Sequence, residues 1–319
     1  MYSLVIPVYK NEESISQLIF ALEGMNNKLG NQLEVVFVVD GSPDQSYALL
    51  KAQLPQASFT SQLLLLSRNF GSYAAFRAGL EKARGQFFAI MAADLQEPPE
   101  LIIEIFECLS KSPIDIAFAQ RLGRKDPLAQ KMFAKLFWFI YKKAILKDMP
   151  AGGVDIFGCN LVFRDHLLKL NELNSSTVGL AFWLGFRRKF IGYQRLERQH
   201  GKSAFSWGRR IKYSMDSSFA FSDIPIKLLY FIGIAGISIS FLLGLIIIGA
   251  KISGAIPVPG YAATIITIVF FAALNLMGLG IIGSYVWRAF ENTKSRPQSV
   301  VMSALEFCKS DLIIEKMSA

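Results

Sequence analysis

Two uncharged runs constrain this chain more than any other feature. Leu228 to Ala250 carries no Asp, Glu, Lys or Arg over 23 residues, and Ile252 to Trp287 carries none over 36. As helices rising about 1.5 Å per residue, both are long enough to cross a hydrocarbon layer of about 30 Å. A buried core helix is the other home for such a run. Two runs back to back, rich in Gly, Leu, Ile and Phe, favour membrane spans. The sequence between them, "SGAIPVPGY" (Ser253 to Tyr261), holds two prolines and two glycines and is expected to be a loop. The pair is therefore expected to form a transmembrane hairpin with both outer ends on one side. Those ends carry Arg209, Arg210, Lys212 and Lys227 before the first run, and Arg288, Lys294 and Arg296 after the second. Lys251 is the one cation near the loop. The excess of cations at the outer ends places those ends in the cytoplasm.

The chain has 319 residues, 52% of them hydrophobic, and the excess is uneven. Up to about Ser222 charges recur regularly. The expected division is a cytoplasmic domain at 1–222 with membrane-interface helices at about 127–147 and 205–222, a hairpin at 226–288 with spans at about 228–250 and 262–287, and a cytoplasmic tail at 289–319. The opening "MYSLVIPVYKNEES" lacks a basic stretch before a long apolar core, so no signal peptide is expected. Cys108, Cys159 and Cys308 have no metal-binding spacing, and an odd count suits a reducing compartment. His166 and His200 are the only histidines and have no metal-binding spacing either. A net charge of +9 suits an anionic partner: membrane, phosphate or nucleic acid. With a hairpin present, nucleic acid is the least favoured and is not expected.

The first 120 residues alternate apolar runs with helical patterns. Strands are predicted at Ser3 to Tyr9, Leu33 to Asp40, Leu63 to Ser67, Gln86 to Asp94 and Asp115 to Gln120, with helices from about Glu12, from Ser72 to Ala83, and from Pro98. Strands that are apolar throughout, separated by helices, imply an α/β fold whose mainly parallel sheet is covered on both faces. Ligands then bind beyond the carboxyl ends of the strands. Those ends read Pro7 to Tyr9, Asp40–Gly41–Ser42, Arg68 to Gly71, Asp94–Leu95–Gln96 and Arg121. No glycine-rich dinucleotide or P-loop motif follows the first strand.

These strand ends, in this order, resemble the family 2 glycosyltransferases of the GT-A fold. The closer resemblance is to the polyprenyl-phosphate glycosyltransferases, which include dolichol-phosphate mannose synthase and the bacterial GtrB/ArnC-like enzymes. The segments that carry it are "IPVYKNEE", "VVDGSPDQS", "LSRNFGSYAAFRAGLEKARG", "ADLQEPPELI", Arg198–Ser203, "FSDIP" and "GSYVWRAFENTKSRP". The resemblance implies a nucleotide-sugar donor, UDP- or GDP-linked, with Pro7, Tyr9, Glu12 and Asp40 around its base and ribose and Asn69 and Gly71 beside them. A carboxylate such as Asp40 can accept from a ribose hydroxyl or base N–H; alternatively it is a turn or cap residue before Ser42 and Pro43. The resemblance also implies a divalent cation, Mg²⁺ or Mn²⁺, held by Asp94 and the Gln96 carbonyl oxygen. Family members usually carry a further acid in each motif, where this chain has Ala92 and Val39. Mg²⁺ often takes only one or two carboxylates, so weakened metal dependence is expected rather than none. Asp94 alternatively serves as a charge near a helix N-terminus.

The implied acceptor is a polyprenyl phosphate whose oxygen attacks the anomeric carbon with inversion. A phosphate monoester ionises near pH 6, so the nucleophile is largely charged at neutral pH and needs no strong general base. It does need cations beside an anionic donor. Arg121, Arg124, Lys131, Lys135 and Lys142 lie in one basic stretch; Arg195, Arg198, Lys202, Arg209 and Arg210 lie in another. Arg121 and Arg198 are the expected acceptor-phosphate ligands, with Arg124, Lys202 and Ser203 in support, because guanidinium groups bind phosphate through two parallel hydrogen bonds. Surface solubility charges are the plainer account of both stretches. Asp94, Arg121 and Arg198 are the expected catalytic set. The bilayer is an expected partner, and homo-oligomerisation, as a tetramer, follows from the resemblance. Two other readings stay open: a processive polysaccharide synthase, disfavoured by the lack of Q-x-x-R-W, and a non-catalytic membrane scaffold, suggested by Ala92 and Val39.

Overall fold

Apolar strands with no polar face need cover on both sides, and the central strands meet that demand. The computed structural model describes residues 1–122, 150, 154–172, 177–196, 224–253, 260–308 and 314–315. The expected interface helices at 127–147 and 205–222 lie outside the described residues, as do Arg124, Arg198, Lys202 and Ser203. The chain divides into two units, Met1–Ile211 with Arg296–Ala319, and Lys212–Ser295.

In the first unit the strands are β1 (Tyr2–Val8), β2 (Leu33–Val39), β3 (Thr60–Leu66), β4 (Phe87–Ile90), β5 (Ile116–Arg121), β6 (Val154–Asn160), β7 (Arg188–Tyr193), β8 (Val301–Phe307) and β9 (Ile314–Glu315). They form one sheet in the order β7-β5-β6-β4-β1-β2-β3-β8-β9. Pairing is parallel across β4-β1-β2-β3 and between β5 and β7. It is antiparallel where β6 enters between β4 and β5 and where β8 joins β3. The helices are α1 (Ile15–Lys28), α2 (Ser46–Gln53), α3 (Ser72–Lys82), α4 (Pro99–Lys111), α5 (Leu161–Lys169) and α6 (Thr177–Trp183). The α/β architecture with a mainly parallel sheet therefore stands. The sheet is mixed at its flanks, where the apolar runs are shorter.

Strand β3 starts three residues before its apolar run because its polar start is buried beside a charge. Glu34 on β2 is 1% exposed. It accepts hydrogen bonds from the Ser3 hydroxyl, from Gln62 Nε2 at 2.8 Å and from the Arg84 amide at 2.8 Å. A buried carboxylate is tolerable when its lone pairs are filled in this way. At the opposite, carboxyl end, the chain runs outward through β1, β2 and β3, then returns to place β4 on the other flank of β1. By topology that reversal, beyond the carboxyl ends of β1 and β4, marks the place where open α/β sheets form a ligand crevice.

The segment expected as a tail at 289–319 supplies β8. Leu63 pairs with Leu305 and Leu64 with Ala304, so a residue run beyond the second uncharged stretch becomes part of the first unit's sheet. An Arg84–Glu306 ion pair reinforces the join.

The second unit holds α7 (Ile224–Ile252) and α8 (Tyr261–Thr293). Its large apolar side chains point outward: Phe231, Phe241 and Leu276 are all well exposed. The stretch Phe270–Thr293 is long and apolar enough to cross a membrane. The helices meet through small residues, with Gly236 facing Phe271 and Gly278 facing Leu229.

Helix α3 lies against the sheet through Gly79. A Cβ there would stand 2.2 Å from Val5 Cγ1 and 3.0 Å from Val38 Cγ2, both on buried branched side chains. We expect Gly79→Ala to lower stability by about 1–3 kcal/mol through overpacking, read by chemical denaturation of the detergent-solubilised protein.

Candidate functional site

The loops beyond β1, β2, β3 and β4 converge on the crevice, and backbone amides captured by side-chain oxygens hold them. Asp40 follows β2 and is 2% exposed. Its Oδ1 accepts from the Phe70 amide at 2.7 Å and its Oδ2 from the Gly71 amide at 2.8 Å. Those amides lead directly into α3, whose first residue is Ser72. Asn69 donates from Nδ2 to the Asp40 carbonyl at 3.3 Å. Gly41, at φ +57°, lies under the same loop: a Cβ there would stand 2.4 Å from the Arg68 carbonyl carbon. Only glycine combines that conformation with so close an approach. Asp40 thus pins the β3–α3 loop to the end of β2. These bonds go to the two amides that precede α3 and not to the turn at Ser42. Burial pushes the Asp40 carboxyl above its usual value, partly offset by the two amides and by Arg68.

The β1 and β2 ends are joined by a second set. Glu12 Oε2 accepts from the Gln45 amide at 2.8 Å, and Asp44 Oδ2 accepts from the Glu12 amide at 3.1 Å. Asp44 also takes the hydroxyls of Ser42 and Ser46. Lys10 and Asn11 donate their amides to Ser42 and Ser46 in turn. Burial raises the Asp44 carboxyl, but the Ser42 and Ser46 hydroxyls and the Glu12 and Ser46 amides outweigh it and hold it below the usual 3.8. Glu12 therefore serves, at least through one oxygen, as a splice between loops. Sequence reasoning missed Asp44, although "GSPDQS" sets one acid two residues from each of two serines, a spacing that suits local hydroxyl bonds. Pro7 lies within β1 opposite Val38, and Tyr9 is half-buried with its amide on Asn11 Oδ1 at 3.0 Å.

Beyond β4, the Ser14 hydroxyl holds the Ala93 carbonyl at 3.0 Å, joining this turn to the segment after β1. Asp94 is half-buried, and its Oδ1 accepts from the Gln96 amide at 3.3 Å across Leu95, which sits at φ +53°. Gln96 is already engaged. Its Oε1 accepts from Arg195 Nη2 at 2.6 Å, and its backbone carbonyl accepts from the Leu196 amide at 2.9 Å. Glu97, 1% exposed, accepts from the Ala92 amide at 3.2 Å and faces Arg195 at 3.9 Å. Among the described residues no group of three His, Cys, Asp or Glu side chains could hold a metal ion. On this turn Asp94 is the half-buried carboxylate, and Gln96 Oε1 faces the Arg195 guanidinium. Arg121 ends β5 in register with Tyr193. Because β6 lies between β5 and β4, Arg121 starts about 10 Å to the side of the β4 end at ordinary strand spacing.

Two outcomes follow. Asp40→Asn leaves one partly buried amide without its acceptor, and we expect a stability loss of about 1 kcal/mol by chemical denaturation. Asp44 has a depressed folded pKa, so its contribution is fully present above pH 3.8 and is lost as pH falls through the lower folded value. Stability measured against pH below about 4 should therefore decline less steeply in Asp44→Asn than in the parent chain.

The sequence profile of glycosyl transferase family 2 matches residues 3–170. An uncharacterized glycosyltransferase of Bacillus subtilis, YkcC, is 31% identical over 95% of this chain and 94% of its own length. The bactoprenol glucosyl transferase of Shigella phage SfX is 29% identical over 94% of this chain and 98% of its own. The undecaprenyl-phosphate 4-deoxy-4-formamido-L-arabinose transferase of Pectobacterium atrosepticum is 29% identical over 95% and 93%. With the profile spanning more than half of the chain and the relatives matching nearly all of it, this protein belongs to glycosyl transferase family 2 and is a glycosyltransferase.

Proposed function

We propose that the protein moves a sugar from a UDP- or GDP-linked donor to a polyprenyl phosphate, with inversion, in the crevice beyond β1 and β4. The observation that carries this reading is that the loops after β1, β2, β3 and β4 are bonded to one another at the carboxyl end of the sheet, where the strand order reverses. The named acceptors of the bactoprenol and undecaprenyl-phosphate relatives support the lipid phosphate. In this reading Pro7, Tyr9, Asn69 and Gly71 bound the nucleotide, Glu12 and Asp40 hold the loops that shape its pocket, and Arg121, Arg124, Arg198, Lys202 and Ser203 receive the acceptor phosphate. The ionised phosphate oxygen attacks the anomeric carbon while the nucleoside diphosphate departs from the other face.

A divalent cation suits Asp94, since a hard cation takes one carboxylate together with water and substrate phosphates. When bound, it neutralises charge on the departing diphosphate. Gln96 is the second ligand in this reading: its oxygens each accept one hydrogen bond, from Arg195 and Leu196, and each keeps a further lone pair.

We further propose that α7 and α8 form the membrane hairpin, with 1–222 and 289–319 on the cytoplasmic side and the protomers associating as homo-oligomers. The β3–β8 ladder supports an even number of crossings. A single crossing would leave β8 across the membrane from the strand it pairs with.

Membranes containing the protein, given a panel of UDP- and GDP-sugars with polyprenyl phosphate, should yield one lipid-linked sugar identified by mass. Binding of nucleotide-sugar without turnover would instead mark a scaffold. Asp94→Ala should lower kcat by about 100-fold or more. Arg198→Ala should raise the acceptor KM more than the donor KM; an unchanged acceptor KM would remove Arg198 from the phosphate site.

A further inference from the structure

A primary amide stands at the middle of the second apolar helix. Asn275 lies 13 residues after Ala262 and 12 before Trp287, the ends of the expected span. At 1.5 Å per residue that is about 18–20 Å from either end. Helix α8 has two distinct sides. Phe271, Leu274, Gly278, Ile281 and Tyr285 are half-buried, and from this side Phe271 meets Gly236 and Gly278 meets Leu229 of α7. Ala272, Asn275, Leu279, Ile282, Gly283 and Val286 are exposed and fall within about 100° of one another around the helix axis. Asn275 therefore belongs to the side that α7 leaves uncovered. The hydroxyls of Thr264 and Ser284 donate to carbonyls of their own helix, those of Gly260 and Gly280, at 2.9 Å each. Among the described residues nothing bonds the side-chain amide of Asn275. An amide carries two donors and two acceptor lone pairs, and hydrocarbon offers a partner to none of them.

From this placement we infer that the exposed side of α8 is an interface between two copies of this chain, closed at its centre by the two Asn275 amides bonding each other. The inference rests on the proposed membrane hairpin and homo-oligomer, and it names the surface that joins the copies. Three features select a second copy as the occupant. Lipid chains can cover Leu279, Ile282 and Val286, but they leave the amide unbonded. Copies that enter the membrane in the same sense present α8 in parallel, so both Asn275 side chains stand at one depth without further adjustment. A primary amide is its own complement, since the N–H of each can donate to the oxygen of the other about a two-fold axis. A different protein would have to place a polar group at that depth independently. Small residues on the same side allow the backbones to approach: Ala272 is one, and at Gly283 an added Cβ would meet nothing within 4 Å.

Self-association of the full chain can be read in phosphatidylcholine vesicles by energy transfer between copies labelled at the exposed Cys308, as the protein-to-lipid ratio is varied. Asn275→Leu should weaken association by about three- to twentyfold, the range expected for polar bonds between membrane helices. Leucine suits a membrane helix, so this variant keeps its insertion. Asn275→Gln keeps the amide and should stay within about threefold of the parent chain. Cross-linking in native membranes supplies a second readout. With Cys308→Ser as background, and with Cys108 and Cys159 buried, Asn275→Cys should form a disulfide between copies when molecular oxygen and a copper catalyst are added. Met277→Cys should not: Met277 is exposed at nearly the same depth but lies about 160° around the helix. Unchanged association in Asn275→Leu would overturn the inference. So would a cross-link as strong in Met277→Cys, or one that joins Asn275→Cys to a different protein and not to a second copy. A parent chain that stays monomeric in the vesicles would overturn the homo-oligomer reading and the inference with it. Reaction of Asn275→Cys with a water-soluble maleimide in intact vesicles would overturn the hairpin reading beneath both, a result distinct from the others.

Discussion

A single buried carboxylate organises the ligand-facing edge of this sheet. Asp40 ends β2 with almost no water around it and gives each oxygen to one of two consecutive amides. That arrangement joins the end of β2 to the start of α3 and fixes the loop between β3 and α3. The loop in turn needs Gly41 beneath it, since no side chain fits there. On its other side, the Ser67 amide donates to the Val300 carbonyl at 3.0 Å, just before β8 begins. Loss of one anchor would therefore be felt by two strands, a helix and the returning segment together. Burying a charge this way is unfavourable unless its bonds are complete, and the raised pKa of Asp40 shows burial outweighing the stabilising bonds.

The same chemistry recurs around the crevice. Glu12 and Asp44 accept backbone amides from a neighbouring loop, and Asp94 and Glu97 accept amides of their own turn. Acids at strand ends invite a reading as ligands, and several of them act first as fasteners. The crevice is consequently shaped before anything enters it, which limits the reorganisation needed on binding. Asp94 keeps the half-exposed position that a ligand-facing carboxylate requires.

How much of this was legible depended on whether the signal was local. Apolar runs placed the central strands to within a few residues: Leu33 to Asp40 was expected and β2 is Leu33–Val39. Helix α4 starts at Pro99, one residue after the expected start at Pro98. Strand β3 began earlier than its apolar run because Ser61 and Gln62 are polar yet buried, and only the cross-strand neighbour Glu34 explains them. Antiparallel β6 was not among the expected strands, and β8 lay in an expected tail, since pairing with a distant edge leaves no periodic mark. The site divided along the same line. Asp94 and Gly71 follow strands and could be found. The bond from Arg195 to Gln96 spans 99 residues, and no spacing rule points to it.

Strand β8 also sets an order of events during synthesis. Leu63 must wait for Leu305, about 240 residues later, before the β3 edge is covered. At roughly 5–20 residues per second, that edge stays bare for about ten to fifty seconds while α7 and α8 are being made. An unpaired apolar edge is a hazard for association with other chains. The enzyme's sheet is thus completed only by a polypeptide that has already produced both long helices. A chain that stops short of them carries a visible defect, an open strand available to chaperones and proteases, so truncated products can be recognised without any test of their activity.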